Sequence, residues 1–289
     1  MTGTAAPGGG LDGLPQMGET RRVSVGGREV RYLEVGEGAP ILLVHGWIGS
    51  AENFHKWMPA LEGRRKMIIP DLPGFGETPA LAGEHSISTL GAFMEAFSNA
   101  IGLTLYDLGG ICLGATVALE LARRDPQRVR QLVLHTPIYS RRVLSRSFKI
   151  QTSIAASPPI FGAAARLARN RLVSDIYKRF VVEGPNVDQF DARVNFLNQV
   201  RATPRAAREW LADAVRQDYE AWLLGWEQPV LMVVAEDDSL LDLREMQRLT
   251  EQMQTAEVVI VPGAGHGWTD ALVQAQAAAI KGFLSPQPI

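Results

Sequence analysis

Cys112 is the only cysteine in the 289-residue chain, so no disulfide within the chain can use it. It stands in Gly110-Ile111-Cys112-Leu113-Gly114, between an apolar run that reads as a strand and an amphipathic run that reads as a helix. A strand that turns sharply into a helix at G-x-nucleophile-x-G holds its central residue in a strained backbone conformation. Side chains two positions to either side would collide with the neighbouring strand and helix. The new helix also aims its first free N–H groups at the sulfur, which favours negative charge there. Since a lone cysteine is more often a small buried hydrophobe, the reading depends on partners that can take its proton.

Two stretches supply them. His266, in Pro262-Gly263-Ala264-Gly265-His266-Gly267, follows the last apolar strand and falls on a loop at the same edge of a sheet as Cys112. An imidazole there can take the thiol proton and later return it. Ala235-Glu236-Asp237-Asp238 follows the preceding strand, and Asp238 or Asp237 can orient that ring and stabilise its charged form. After the first buried strand, the turn His45-Gly46-Trp47-Ile48-Gly49-Ser50 can present the Trp47 N–H opposite the N–H of Leu113. Two such donors would hold the oxyanion of a tetrahedral intermediate. His45 props that turn in this reading, while His55, His85 and His135 are structural or solvated and offer no metal-ligand spacing. Asp107, inside a strand, reads as a hydrogen-bonded structural carboxylate.

The elements that must position these residues alternate along the chain. Arg21–Val25 and Glu29–Val35 read as a hairpin about Gly26-Gly27. Strands are expected at 40–44, 66–70, 103–109, 129–134, 230–234 and 258–261, and helices at 50–61, 86–101, 113–124, 242–254 and 269–284. This rhythm predicts an α/β fold: a mostly parallel central sheet with helices on both faces. It breaks between 138 and 228, where amphipathic stretches such as 162–180 and 204–224 predict a helical lid over the strands' carboxyl ends. Residues 19–137 and 229–289 then form the core, and 1–18, rich in Gly, Ala, Pro and Thr, a disordered leader.

Composition narrows the class. The chain is 46% hydrophobic and 21% charged with a formal net charge of −2, which gives no reason to expect a nucleic-acid partner. It has neither a signal-peptide pattern nor an apolar run long enough for a membrane span, so a cytoplasmic protein without a membrane partner is expected. The 138–228 segment carries fourteen Lys or Arg against nine Asp or Glu, a net +5 that could favour an anionic acyl donor. Its aromatics, including Phe161, Tyr177, Phe180, Trp210 and Trp222, could line an apolar pocket, though most should pack its helices.

The His45-Gly46 turn, Asp71-Leu72-Pro73-Gly74-Phe75-Gly76, the Cys112 turn and Gly265-His266 together resemble the capped α/β-hydrolase superfamily over nearly the whole chain. The resemblance aligns Cys112 with that family's usual serine and implies nucleophile, acid, base in that chain order. It also makes Asp238 the preferred acid and Asp237 the reserve, with Ala235 in place of the family's strand-ending glycine. Gly-x-Cys-Leu-Gly locally resembles dienelactone hydrolases, which use cysteine. Dehalogenases and epoxide hydrolases of this fold need aspartate at position 112.

The expected function is a hydrolase or acyltransferase acting on a carboxylic ester or thioester through a cysteine acyl-enzyme, with no metal or organic cofactor. Its partner is a small-molecule acyl substrate, with coenzyme A and carrier-protein thioesters among the candidates. Two alternatives stay open: a lyase, isomerase or cyclase on the same scaffold, and a non-catalytic ligand-binding descendant.

Overall fold

The computed structural model describes residues 17–177 and 189–284. The expected leader therefore lies almost wholly outside the described residues, as does Phe180. Eight strands form one sheet: β1 (Glu19–Val25), β2 (Arg28–Val35), β3 (Ala39–Val44), β4 (Arg65–Pro70), β5 (Tyr106–Ile111), β6 (Val129–His135), β7 (Val230–Ala235) and β8 (Ala256–Val261). Their spatial order is β1-β2-β4-β3-β5-β6-β7-β8. The β1–β2 hairpin is antiparallel and β2 meets β4 antiparallel, while every pairing from β4 to β8 is parallel.

The sheet is buried on both faces because its central strands are apolar at every position. Alternate residues divide between two cores. Leu42, Leu108, Leu132, Leu134 and Met232 pack on the side of α2 (Ile87–Ala100) and α3 (Leu113–Arg124). Ile41, Leu43, Val133, Leu231 and Val233 pack on the side of α1 (Met58–Leu61) and α11 (Asp270–Phe283). Burying an aliphatic side chain of this size stabilises the fold by about 1.5–3 kcal/mol, so the two cores hold the strand ends in fixed relation.

Between β6 and β7 run six helices: α4 (Arg146–Ala155), α5 (Pro158–Ala168), α6 (Arg171–Tyr177), α7 (Gln189–Arg201), α8 (Pro204–Ala214) and α9 (Glu220–Leu224); α10 (Leu243–Thr250) follows β7. Three expectations change here. The strand feeding Cys112 starts at Tyr106 rather than Leu103, because the Leu103 N–H is drawn back to Ser98 O at the end of α2. The helix expected over 50–61 is a 3₁₀ turn, Ala51–Lys56, followed by the single turn of α1; the Asn53 side chain takes the Ser50 N–H at 2.8 Å. The 204–224 stretch splits into α8 and α9, since Tyr219 N–H turns away to Tyr139 O at 2.8 Å. Likewise 162–180 is broken at Asn170, whose side chain accepts from the N–H groups of Leu172 and Val173.

Candidate active site

Cys112 caps α3 with φ 53° and ψ −121°, a left-handed backbone forced on a side-chain-bearing residue. The flanking glycines explain how the turn closes. A Cβ on Gly110 would lie 2.7 Å from the Ala115 Cα, and one on Gly114 would run into the Val44 and His45 carbonyl oxygens. The backbone of the turn is pinned from β6: the Cys112 N–H donates to His135 O at 2.9 Å. The thiol is neither sealed in the core nor fully exposed.

His266 follows the turn after β8, and its Nδ1 donates to Asp238 Oδ2 at 2.8 Å. Asp238 sits after β7, its side chain 2% exposed, and its other oxygen accepts the Leu240 N–H at 2.8 Å. Burial opposes ionisation of Asp238, but the His266 charge and these hydrogen bonds hold its carboxyl below the usual carboxylate range. Burial likewise opposes protonation of His266, yet Asp238 and the Cys112 side chain outweigh it and hold the imidazole well above its ordinary value. Asp237, the reserve acid, instead ties the loop together, its N–H donating to Ala264 O at 2.8 Å.

The Gly46–Gly49 turn lies beside Cys112 on the same cavity. His45 is fully buried; its Nδ1 donates to Gly46 O at 2.8 Å and its Nε2 accepts the Leu72 N–H at 3.0 Å. Burial lowers its pKa to about 4, so this histidine is a neutral brace. Trp47 and Leu113 both line the cavity, and the Trp47 backbone N–H makes no backbone hydrogen bond among the described residues. The Trp47 indole donates to Ala207 O at 2.8 Å, tethering the turn to α8.

The cavity holds about 320 Å³. Beyond Cys112 and His266 it is walled by the 46–49 turn, by Phe148 and Gln151 of α4, by Asn195 and Gln199 of α7, and by His135 and Trp268. The aromatic expectation needs correction. Among the described residues Phe161 packs on Trp47, Trp210 is buried against Phe75 and His45, and Trp222 stacks with Trp226; the aromatic walls are Trp47, Phe148 and Trp268 instead. The basic residues of the inserted segment fare likewise: no Lys or Arg lines the cavity among the described residues. Asp107 is fully buried between Arg65 and Arg130, a structural carboxylate. His85 braces Leu81 and Glu209, and His55 faces Asp191. His135, expected to be structural, lies in the cavity wall with its ring stacked on Trp268 at 4.5 Å, and nothing in its local sequence marks it out. Among the described residues no cluster of three or more His, Cys, Asp or Glu is placed to hold a metal ion. Nor is any described helix long and apolar enough to cross a membrane.

A parallel sheet with its sharp turn after β5, an acid after β7 and a histidine after β8 defines a fold family. Residues 39–267 match that family, described as the alpha/beta hydrolase fold, and the chain belongs to it. It is 26% identical over 263 residues to the dihydrolipoyllysine-residue acetyltransferase component of an acetoin cleaving system from Pseudomonas putida. That alignment covers 89% of this chain but 66% of that protein, just under two thirds of its length. It is 27% identical to a pimeloyl-[acyl-carrier protein] methyl ester esterase from Neisseria meningitidis, over 84% of this chain and 93% of that one. Among solved structures, a haloalkane dehalogenase from Agrobacterium tumefaciens superposes with a TM-score of 0.75 at 20% identity, covering 92% of this chain and 96% of the other, a likeness of fold. The family and its curated relatives support a hydrolytic enzyme.

Proposed function

We propose that the protein acts on carboxylic esters or thioesters through a covalent acyl-enzyme on Cys112, with His266 as base and acid and Asp238 as its orienting partner. The reading rests above all on one juxtaposition: a strained, partly accessible thiol and an imidazole made basic by a buried carboxylate, facing one cavity.

In the proposed reaction His266 takes the Sγ proton and the sulfur attacks the substrate carbonyl. The N–H groups of Trp47 and Leu113 receive the developing oxyanion, each worth roughly 3 kcal/mol in the transition state. The intermediate collapses, the C–O or C–S bond to the leaving group breaks, and His266 protonates the departing alcohol or thiol. The resulting thioester is resolved by water, alcohol or amine, which gives its proton to His266 as the sulfur leaves. The helices between β6 and β7 serve as the lid over this cavity. A thioester intermediate keeps more reactivity toward amines and thiols than an oxygen ester, so acyl transfer accompanies hydrolysis in this scheme. Cytoplasmic action on a small acyl substrate fits the absence of a spanning helix among the described residues.

The test compares wild type, Cys112→Ser and Cys112→Ala on activated esters and thioesters, with water and an amine as acceptors. Loss of turnover in the alanine variant, together with a serine variant that hydrolyses but transfers less, supports the reading. An alanine variant that retains a substantial part of the rate sinks it in favour of acid–base chemistry without acylation.

A further inference from the structure

Among the described residues only Ile48, Cys112 and Thr136 combine a side chain with positive φ, at 50°, 53° and 42°. All three line the same cavity. Left-handed backbone is costly for β-branched residues and persists where the surroundings impose it, most often at binding and catalytic sites. Cys112 is the attacking residue and Ile48 shapes the turn that presents the Trp47 N–H. Thr136 has no role in the scheme above.

Thr136 and its neighbour His135 end β6, and their backbones support the nucleophile turn: His135 O takes the Cys112 N–H, and Thr136 N–H donates to Val233 O at 2.8 Å. Their side chains are 2% and 1% exposed, and neither His135 Nδ1 nor Thr136 Oγ1 has a hydrogen-bond partner among the described residues. An unpaired buried polar group costs about 1–3 kcal/mol, and here two stand on consecutive residues beside the reacting atoms. Burial and the neighbouring His266 lower the His135 pKa to about 3, so its ring is neutral. The two residues thus offer an imidazole nitrogen and a hydroxyl without charge. The rest of the described wall carries no Lys, Arg, Asp or Glu; its polar groups are amides and hydroxyls such as Gln151 and Ser239.

An acyl chain ending in a carboxylate or phosphate would meet no fixed counter-charge beyond His266 in such a cavity. A plain alkyl chain would leave both wall groups unpaired. We infer that His135 and Thr136 form a specificity subsite that selects acyl groups bearing an uncharged hydroxyl, which can donate and accept at once. This inference rests on the acyl reading for its substrate class and replaces the anionic acyl donor suggested by the basic inserted segment.

The experiment uses p-nitrophenyl esters of butyric, pentanoic and hexanoic acids with a hydroxyl at carbon 3, 4 or 5. Each is paired with its unsubstituted parent, and the succinate monoester serves as the anionic control. Wild type should favour at least one hydroxy ester over its parent by ten-fold or more in kcat/KM and disfavour the succinate ester by a similar factor. Thr136→Val, nearly isosteric, should reduce the hydroxy preference to about two-fold, and Thr136→Ser should restore it. No preference in wild type, or one unchanged in Thr136→Val, overturns the subsite. Binding to Cys112→Ala, followed by tryptophan fluorescence, separates this from the acyl scheme. Tighter binding of the hydroxy ester there supports the subsite even if no adduct ever forms on Cys112, and equal binding of the pair overturns it.

Discussion

Two buried clusters of opposite charge stand on either side of the Gly46–Gly49 turn, and they differ in what is left over. Behind the turn, Arg31 reaches Glu52 and Asp71, with all three side chains at most 4% exposed. Ser50 Oγ donates to Glu52, and the N–H groups of Ala51 and Glu77 donate to Asp71 at 2.9 Å each. Burial and the Glu52 charge push the Asp71 carboxyl up to about 6 against the pull of Arg31, and the carboxylate oxygens are all engaged. In front of the turn, Asp238 engages one ring nitrogen of His266 and leaves the other side of the ring to the cavity that Cys112 lines. Saturated pairing makes the first cluster a clamp. One unsatisfied proton site makes the second able to do chemistry.

Neutralising one carboxylate or removing one cation should separate the two clusters. Asp238→Asn is expected to lower kcat by about 10⁴-fold, the scale of losing the orienting acid in a comparable triad, with little change in the urea midpoint. Arg31→Met should do the reverse. It strands two buried carboxylates and should cost about 3–5 kcal/mol in urea unfolding, while the folded fraction keeps kcat/KM within about ten-fold. If both variants lose activity and stability in parallel, the division of labour is wrong.

A pH series sharpens the contrast. In the proposed scheme the reactive form carries the shared proton on His266, so kcat/KM should fall on the alkaline side as that proton leaves. Asp238 helps hold the ring's pKa up, so Asp238→Asn should move the alkaline limb to lower pH. For stability the signs follow from linkage. The raised His266 contributes below the unfolded imidazole value near 6.5 and loses its contribution as pH rises through its folded pKa. The depressed Asp238 contributes above the ordinary carboxylate value and loses its contribution as pH falls through its folded pKa. The pair should therefore stabilise most between about pH 4 and 6.5. An alkaline limb unmoved in Asp238→Asn would separate His266 from the activity.

The smallest effect concerns the tether between the turn and the inserted helices. Trp47→Phe removes the indole hydrogen bond to Ala207 O while keeping most of the apolar contact, and should cost about 1 kcal/mol in denaturant unfolding. No measurable change would make that bond incidental to how α8 is seated.

How legible the site was in the chain depends on the range of the forces that build it. Helix α3 and the glycines at 110 and 114 could be read because local sterics alone demand them. Ser86 marked the start of α2 because its hydroxyl accepts the Thr89 N–H, a contact three residues long. The order Cys112, Asp238, His266 followed from strands that each end in a loop at one sheet edge. The breaks at Asn170 and Tyr219, by contrast, depend on hydrogen bonds that a helical periodicity does not carry, and Tyr219 turns toward a partner eighty residues away. Arg31, Glu52 and Asp71 looked like ordinary surface charges in the sequence, since nothing local announces that they meet. His135 was invisible for the same reason: its place beside the thiol comes from β6 lying next to β5, and its neutrality from burial.

Intact-protein and peptide mass spectrometry after brief exposure to an activated ester tests the central claim most directly. A single acyl mass should appear on the peptide containing Cys112, disappear on addition of an amine, and form far more slowly in His266→Ala. Steady turnover with Cys112 never modified, across a broad panel of esters and thioesters, would contradict it.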